Sequence, residues 1–285
     1  MKLKIGIIGN GFVGAAIINA FALKSNIKIY DIDQEKSTHS LHEVVNESDF
    51  VFLCLPTPME NALGGPINLS IYDDCLKEID MVVKQKNQIF IIKSTVVPGT
   101  TQSFCESYPN LNFCFNPEFL TERNANLDFI NSNRIVLGGN ECINNRVEAM
   151  YRIRFPWKKV IKTNYQTAEL IKYMCNCFFS TKISFMNEMK QISDAIDASW
   201  SDAIHGFISD GRIGNSHIDV PGHDGHLGFG GKCFPKDLNS MIHFAMYNGV
   251  EPKVMSSAWE KNLEVRSLLD WAEIDGAVVN KESEK

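Results

Sequence analysis

At 285 residues, 44% of them hydrophobic, the chain is long enough for one large or two medium domains, each with its own buried core. A net charge of -6 with no clustered basic patch argues against a nucleic-acid partner, and no apolar run is long enough to span a bilayer. The eight cysteines include no C-x-x-C pair and read as reduced thiols of a cytoplasmic protein.

Taken in order, the N-terminal MKLKIGIIGNGFVG is broken by glycines and reads as a first strand rather than a signal peptide. Residues 3–8 (LKIGII) have the look of a buried parallel strand. IKIYDID, VFLCLP (51–56), IFIIKS (89–94), LNFCFN (111–116) and RIVLGG (134–139) repeat the theme, with helical stretches between most of them. That alternation predicts an α/β chain whose residues 1–163 form a Rossmann-type, doubly wound parallel sheet. From Tyr165 to about Ile196 there is no proline or glycine, which predicts one helix about 48 Å long. Such a helix joins domains or builds a subunit interface. A glycine-rich segment (206–231) and helical segments near 235–248 and 253–270 complete a helical domain over 164–275. The stretch 276–285, ending in NKESEK, is expected to be a disordered tail.

Gly9, Gly11 and Gly14, flanking Phe12 and Val13, form G-x-G-x-x-G after a strand and at the opening of a helix, and a second strand ends in Asp31. In that context the glycines let backbone approach a pyrophosphate at a helix N-terminus. Asp31 would accept the adenosine ribose hydroxyls and repel a 2′-phosphate, so NAD is expected. The plainer alternative is a glycine turn beside a solvated aspartate.

GFGGKCFPKD (228–237) puts Cys233 just ahead of a helix, with Phe234 as the expected cap and Pro235 as its first residue. Gly230 and Gly231 leave room for a ligand. The helix start, Lys232 and Lys236 all favour thiolate. Composition alone would make this cysteine structural. Lys172 and Asn176 lie four apart on the long helix and can donate to a developing alkoxide, or can simply face solvent. Glu118 and Glu122, also four apart beyond a strand end, suit a site at the carboxyl edge of a sheet, or the start of a short helix.

GNGFVG, LCLPTP (53–58), KSTVVPGTT (93–101), NPEFLTE (116–122), ELIKYMCNCFFSTKISFMNE (169–188), RIG (212–214) and GFGGKCFPKD resemble, in order, the UDP-glucose/GDP-mannose dehydrogenase family. The likeness covers roughly residues 1–265. It implies four-electron oxidation of a nucleotide-sugar C6 alcohol to a carboxylate with two NAD, UDP-glucose to UDP-glucuronate being the leading case. By motif, Cys233 is the nucleophile that turns the aldehyde into a thioester. Lys172 and Asn176 hold the reacting oxygen, and Asp237 positions water or a proton near the thiol. Glu118 is the base for thioester hydrolysis, Thr95 lies beside water and nicotinamide, and Glu122 is close to the cofactor. Phe119, Leu120, Phe229, Gly230 and Gly231 belong to the motifs around the substrate. Arg212 resembles an arginine that reaches the sugar of a neighbouring subunit, which implies a homodimer through the long helix.

Two departures are visible. The family's third, base-binding domain is not expected in WAEIDGAVVNKESEK, and NSHIDVPGHDGHL (215–227) differs from the family's segment. His217, His223 and His226 with Asp219 and Asp224 match no standard metal spacing, so a polar loop near the substrate is expected and no metal. Two other functions fit parts of the pattern. A two-electron 3-hydroxyacid dehydrogenase would share the long helix and Lys-x-x-x-Asn but not Cys233. A nonenzymatic NAD- or sugar-binding remnant would need none of these side chains.

Overall fold

Two stretches of polypeptide alternate between two compact units in the computed structural model, which describes residues 2–279. The first unit runs to Thr57 and resumes over Leu69–Lys172; the second holds Pro58–Asn68 and the chain from Tyr173 onward.

The first unit is a seven-stranded sheet of β1 (Leu3–Ile8), β2 (Ser25–Tyr30), β3 (Phe50–Leu53), β4 (Ile89–Ile92), β5 (Asn112–Phe115), β6 (Arg134–Gly138) and β7 (Lys159–Thr163). Their order is β2-β1-β3-β4-β5-β6-β7, so the sheet reverses direction of growth beside β1, where such folds bind ligands. All four residues of β4 are buried, as a strand covered on both faces requires. Pairings from β2 through β5 are parallel. The expected doubly wound parallel sheet is present, with one antiparallel pairing at its far edge. β6 meets β5 antiparallel through one residue pair, Phe115 with Gly138, and β7 then runs parallel to β6. The reversal lies in contact across the sheet, which strand-by-strand hydrophobicity does not record.

Helices α1 (Phe12–Phe21), α2 (Leu41–Asn46), α3 (Ser70–Val82), α4 (Thr100–Ser107), α5 (Ala125–Asn131) and α6 (Glu141–Arg154) flank the sheet. Phe21 sits at the centre of an aromatic cluster, with ring centroids 5.7 Å from Tyr151, 5.8 Å from Phe155 and 6.3 Å from Phe52. Burying each such ring contributes roughly 2–3 kcal/mol before entropy is counted.

α7 (Tyr165–Ala195) is one uninterrupted helix of 31 residues, and the boundary between the units falls after its Lys172. The second unit continues with α8 (Trp200–Ile208), α9 (Phe234–Tyr247) and α10 (Lys253–Val265). α8 was not anticipated, although Ser199 caps it by accepting from the Asp202 N–H, a recognisable start signal. α10 ends five residues earlier than the expected helical segment. In the same unit Trp271 donates to the Ala62 carbonyl at 2.7 Å and Trp259 to that of Leu63 at 3.2 Å. The expected loose tail does not begin at 276: Ala277 is buried, and Val279 donates to the Met59 carbonyl at 2.9 Å. The NKESEK end, 280–285, lies outside the described residues.

Candidate active site

Chain geometry explains two of the three fingerprint glycines, and leaves the third to a ligand. Gly9 has φ +92, and a Cβ there would lie 2.4 Å from the Cys54 carbonyl oxygen. A Cβ on Gly14 would lie 2.2 Å from the Gly9 oxygen. Gly11 has an ordinary φ of -82, and a Cβ on it would meet nothing within 4 Å. It caps α1, whose first turn carries no acidic residue and no side-chain cap, so its N–H groups face open ground suited to a phosphate. Phe12 and Val13 are half-buried beside it. Asp31 stands just past β2; Oδ2 accepts from the Asn10 N–H at 2.6 Å and Oδ1 from that of Asp33 at 2.9 Å, which fixes the carboxylate and leaves lone pairs for ribose hydroxyls. These residues fit a dinucleotide. Gly11→Val is therefore expected to leave thermal stability within about 1 kcal/mol of the parent while weakening NAD binding at least ~10-fold. Calorimetric titration with NAD checks this; undiminished affinity would assign that glycine to the chain instead.

Beyond β5, Asn116 and Pro117 lead into Glu118. Lys93 is buried, donates to Asn116 Oδ1 at 3.0 Å and the Pro117 carbonyl at 3.3 Å, and is pulled down to about 8 by desolvation. Tyr151 donates to the same Asn116 oxygen at 2.5 Å. The loop so anchored presents Glu118, whose Oε2 accepts from the Leu120 N–H at 2.7 Å and whose Oε1 accepts from Lys172 Nζ at 2.8 Å. The two charged side chains are 8% and 3% exposed, a buried ion pair. The Phe119 ring has the Arg134 guanidinium 4.3 Å and Lys172 Nζ 5.6 Å from its centroid. A cavity of about 30 Å³ lined by Lys93, Asn116, Glu118, Arg134 and Tyr151 has room for water.

Glu122 does not join this group. α5 begins only at Ala125, Glu118 sits outside any helix or strand, and Glu122 is exposed on the 3-10 turn Glu122–Asn124. Glu118 does lie beyond the end of β5, as expected, whereas Glu122 stands apart from it on the turn before α5. Thr95 is buried, its carbonyl accepting from Thr57 Oγ1 at 3.1 Å. Sequence reasoning missed Glu169, fully buried on α7: it accepts from the Gly99 N–H at 2.6 Å and the Thr101 N–H at 2.8 Å, and burial raises its carboxyl. It caps the start of α4 from another helix, a role only the E of ELIKYMCN hinted at.

In the second unit, Asp237 is 1% exposed and takes Asn176 Nδ2 on Oδ2 at 2.5 Å and Lys236 Nζ on Oδ1. The expected Lys172/Asn176 donor pair is thus two couples, each donor already holding a carboxylate of its own unit. Lys236 likewise serves Asp237, whereas the sequence reading gave its charge to the thiol. Cys233 is half-buried and is itself the N-cap of α9, with Phe234 first and Pro235 second in the helix, one residue earlier than expected. Its carbonyl accepts the Asp237 N–H at 2.8 Å. None of the eight cysteines is in a disulfide.

Of three expected substrate contacts, two are packed within the protein. Phe229 is 3% exposed, packed against Phe234 and Trp259 rings. A Cβ on Gly230 would lie 2.2 Å from Arg266 Nη2 and from Asp270 Oδ1, so its absence serves packing; Gly231, at φ +72, does face open space. In the 215–227 segment, His217 stacks on Phe179 at 4.1 Å and Asp224 pairs with Arg266 at 2.8 Å, so these two hold the fold. Among the described residues no three His, Cys, Asp or Glu side chains gather as a metal needs. Arg212 is exposed, paired with Asp210. No described helix is long and apolar enough to cross a membrane.

Comparison with known proteins adds an independent line. Residues 36–155 match the NAD binding domain, and 166–264 the central domain, of the UDP-glucose/GDP-mannose dehydrogenase family. The UDP-glucose 6-dehydrogenase of Rickettsia bellii is 32% identical over 244 residues, 82% of this chain and 54% of that protein. The chain spans about half the length of the curated relatives it matches,. A solved UDP-glucose dehydrogenase from the hyperthermophilic archaeon Pyrobaculum islandicum has the same fold, with a TM-score of 0.78 and 24% identity over 93% of this chain and 68% of that one. A 3-hydroxyisobutyrate dehydrogenase of Mycobacterium tuberculosis shares the fold at a TM-score of 0.74 and 17% identity, over 93% of this chain and 94% of its own.

Proposed function

We propose, for a chain that belongs to the UDP-glucose/GDP-mannose dehydrogenase family, that it oxidises the C6 alcohol of a nucleotide sugar to the carboxylate, with UDP-glucose as substrate and Cys233 as nucleophile. The cofactor is NAD, which takes up one hydride in each of two oxidations when bound at the glycine turn and Asp31. The observation that carries the reading is a half-buried cysteine, just after the glycine segment, that caps a helix whose first turn carries buried Asp237 held by Lys236 and Asn176.

Each residue then has a task. Lys172 and Asn176 hold the substrate oxygen as the alcohol loses its proton and hydride. Cys233 Sγ attacks the aldehyde carbon, forming a C–S bond and a thiohemiacetal. Loss of the second hydride leaves a thioester. Glu118 takes a proton from water, whose oxygen attacks the acyl carbon; the C–S bond breaks and the thiolate returns. Asp237 steadies the proton balance near the sulfur, Thr95 and Glu122 border the cofactor, and Phe119 and Leu120 line the sugar. The sum is one alcohol, one water and two NAD⁺ to one carboxylate, two NADH and three protons. A cysteine is needed because the aldehyde must be carried covalently to the acid level.

The same reading covers the partner. Met174, Phe178, Phe185, Met189 and Ile192 stand exposed along α7 at intervals that keep one face, and a second copy of the chain is the proposed cover. Arg212, exposed, would then reach the neighbour's sugar. Eight unbridged cysteines suit the cytoplasm, and supply of uronate for polysaccharide is the proposed use.

A panel of nucleotide sugars and 3-hydroxyacids, followed at the NADH absorbance, tests this. Two NADH per UDP-glucose consumed is expected. One NADH per 3-hydroxyacid would assign two-electron chemistry, and no NADH with any compound would assign a binding module.

A further inference from the structure

The glycine segment ahead of Cys233 is held by side chains from one neighbouring face. Asn262, Arg266 and Asp270 follow at intervals of four residues through the end of α10 and beyond it. Asn262 is fully buried and bonds Phe229 both ways: its Oδ1 accepts the Phe229 N–H at 2.7 Å and its Nδ2 donates to the Phe229 carbonyl at 3.0 Å. Asp270 Oδ2 accepts the Gly231 N–H at 2.8 Å. Arg266 donates to the Leu227 carbonyl at 3.3 Å and pairs with both Asp270 and Asp224 at 2.8 Å. From α7, Asn187 Oδ1 accepts the Gly228 N–H at 3.1 Å.

The glycines match these contacts. A Cβ on Gly228 would lie 2.3 Å from Asn262 Oδ1, and one on Gly230 would strike Arg266 and Asp270. Positive φ at Gly228 (+69) and Gly231 (+72) turns the chain between the held groups. So much of GFGG is shaped to let three side chains grip its backbone. A buried arginine between two aspartates adds little net stability, and what it supplies is a single geometry.

We propose that Asn262 and the Arg266–Asp270 couple are positioning residues for Cys233, fixing residues 228–231 so that the cysteine two positions later is held as the cap of α9. This rests on the nucleophilic role of Cys233 for its catalytic consequence, but the sulfur can be read without turnover. Cys233 is already half-exposed, so loosening the segment chiefly costs the thiolate its helix N-terminus.

The test is the iodoacetamide alkylation rate of the Cys233 peptide at pH 7, read by mass spectrometry against exposed Cys142 in the same sample. Asn262→Ala is expected to slow Cys233 at least ~5-fold relative to Cys142, and to lower kcat at least ~10-fold with KM for NAD unchanged. Asp270→Ala, a lesion nearer the surface, carries the same expectation if Asn262→Ala does not fold; Asp270→Glu should recover part of the rate. A folded variant whose Cys233 reacts as fast as the parent's, or faster, overturns the proposal. If the parent oxidises no nucleotide sugar, the proposed activity fails while the alkylation ratio still decides the positioning role.

Discussion

Cys233→Ser is expected to lower formation of the sugar acid by about 10⁴-fold or more, while NAD affinity stays at the parent value. Serine is nearly isosteric at a helix cap, and Ser is a better cap than Cys, so folding should be unaffected. What is lost is the more acidic and more polarisable nucleophile, and an ester would be harder to form and slower to cleave than a thioester. The first oxidation needs no sulfur, so a trace of aldehyde-level product, trapped with a hydrazine reagent, is the expected residue of activity. Acid formation within ~10-fold of the parent would remove Cys233 from the chemistry.

Lys172→Met should damage both stability and rate. Its partner Glu118 is 8% exposed, and with Lys172 gone one carboxylate oxygen loses its cation while the other keeps the Leu120 N–H. Leaving half of a buried ion pair costs about 3–5 kcal/mol. On its proposed role as a donor to the reacting oxygen, loss of Lys172 is expected to lower kcat by a further ~10²–10³-fold. Double replacement separates the two effects. Lys172→Met with Glu118→Gln should regain much of the stability, because no charge is left buried alone, and none of the activity. Denaturant unfolding and initial rates on the three variants check this; equal stability of Lys172→Met and the parent would mean the pair carries no structural weight.

Local order was legible in the sequence. The glycine turn, Asp31 and the long helix each announce themselves within thirty residues, because strand, turn and helix are set by near neighbours. Cys233 at a helix start was read to within one residue. The rest was hidden because it depends on contacts between distant stretches. Asn262 grips Phe229 from 33 positions away, and Glu169 caps α4 from 68 positions beyond Thr101. Nothing in the spacing of Glu118 and Glu122 says that α5 starts only at Ala125. The aromatic of GFGG looked like a ligand contact; its burial follows from rings on α9 and α10 that no local pattern reports. Likewise the motif glycines suggested room for substrate, whereas Gly228 and Gly230 make room for the protein's own side chains.

The covalent step is the centre of the account. Glu118→Gln removes the base proposed to cleave the thioester, so on that proposal acyl-enzyme should accumulate when this variant is mixed with UDP-glucose and NAD and quenched in acid. The predicted result is a sugar-nucleotide acyl mass on the peptide containing Cys233. NADH production with that peptide unmodified, or the adduct on another cysteine, would contradict it.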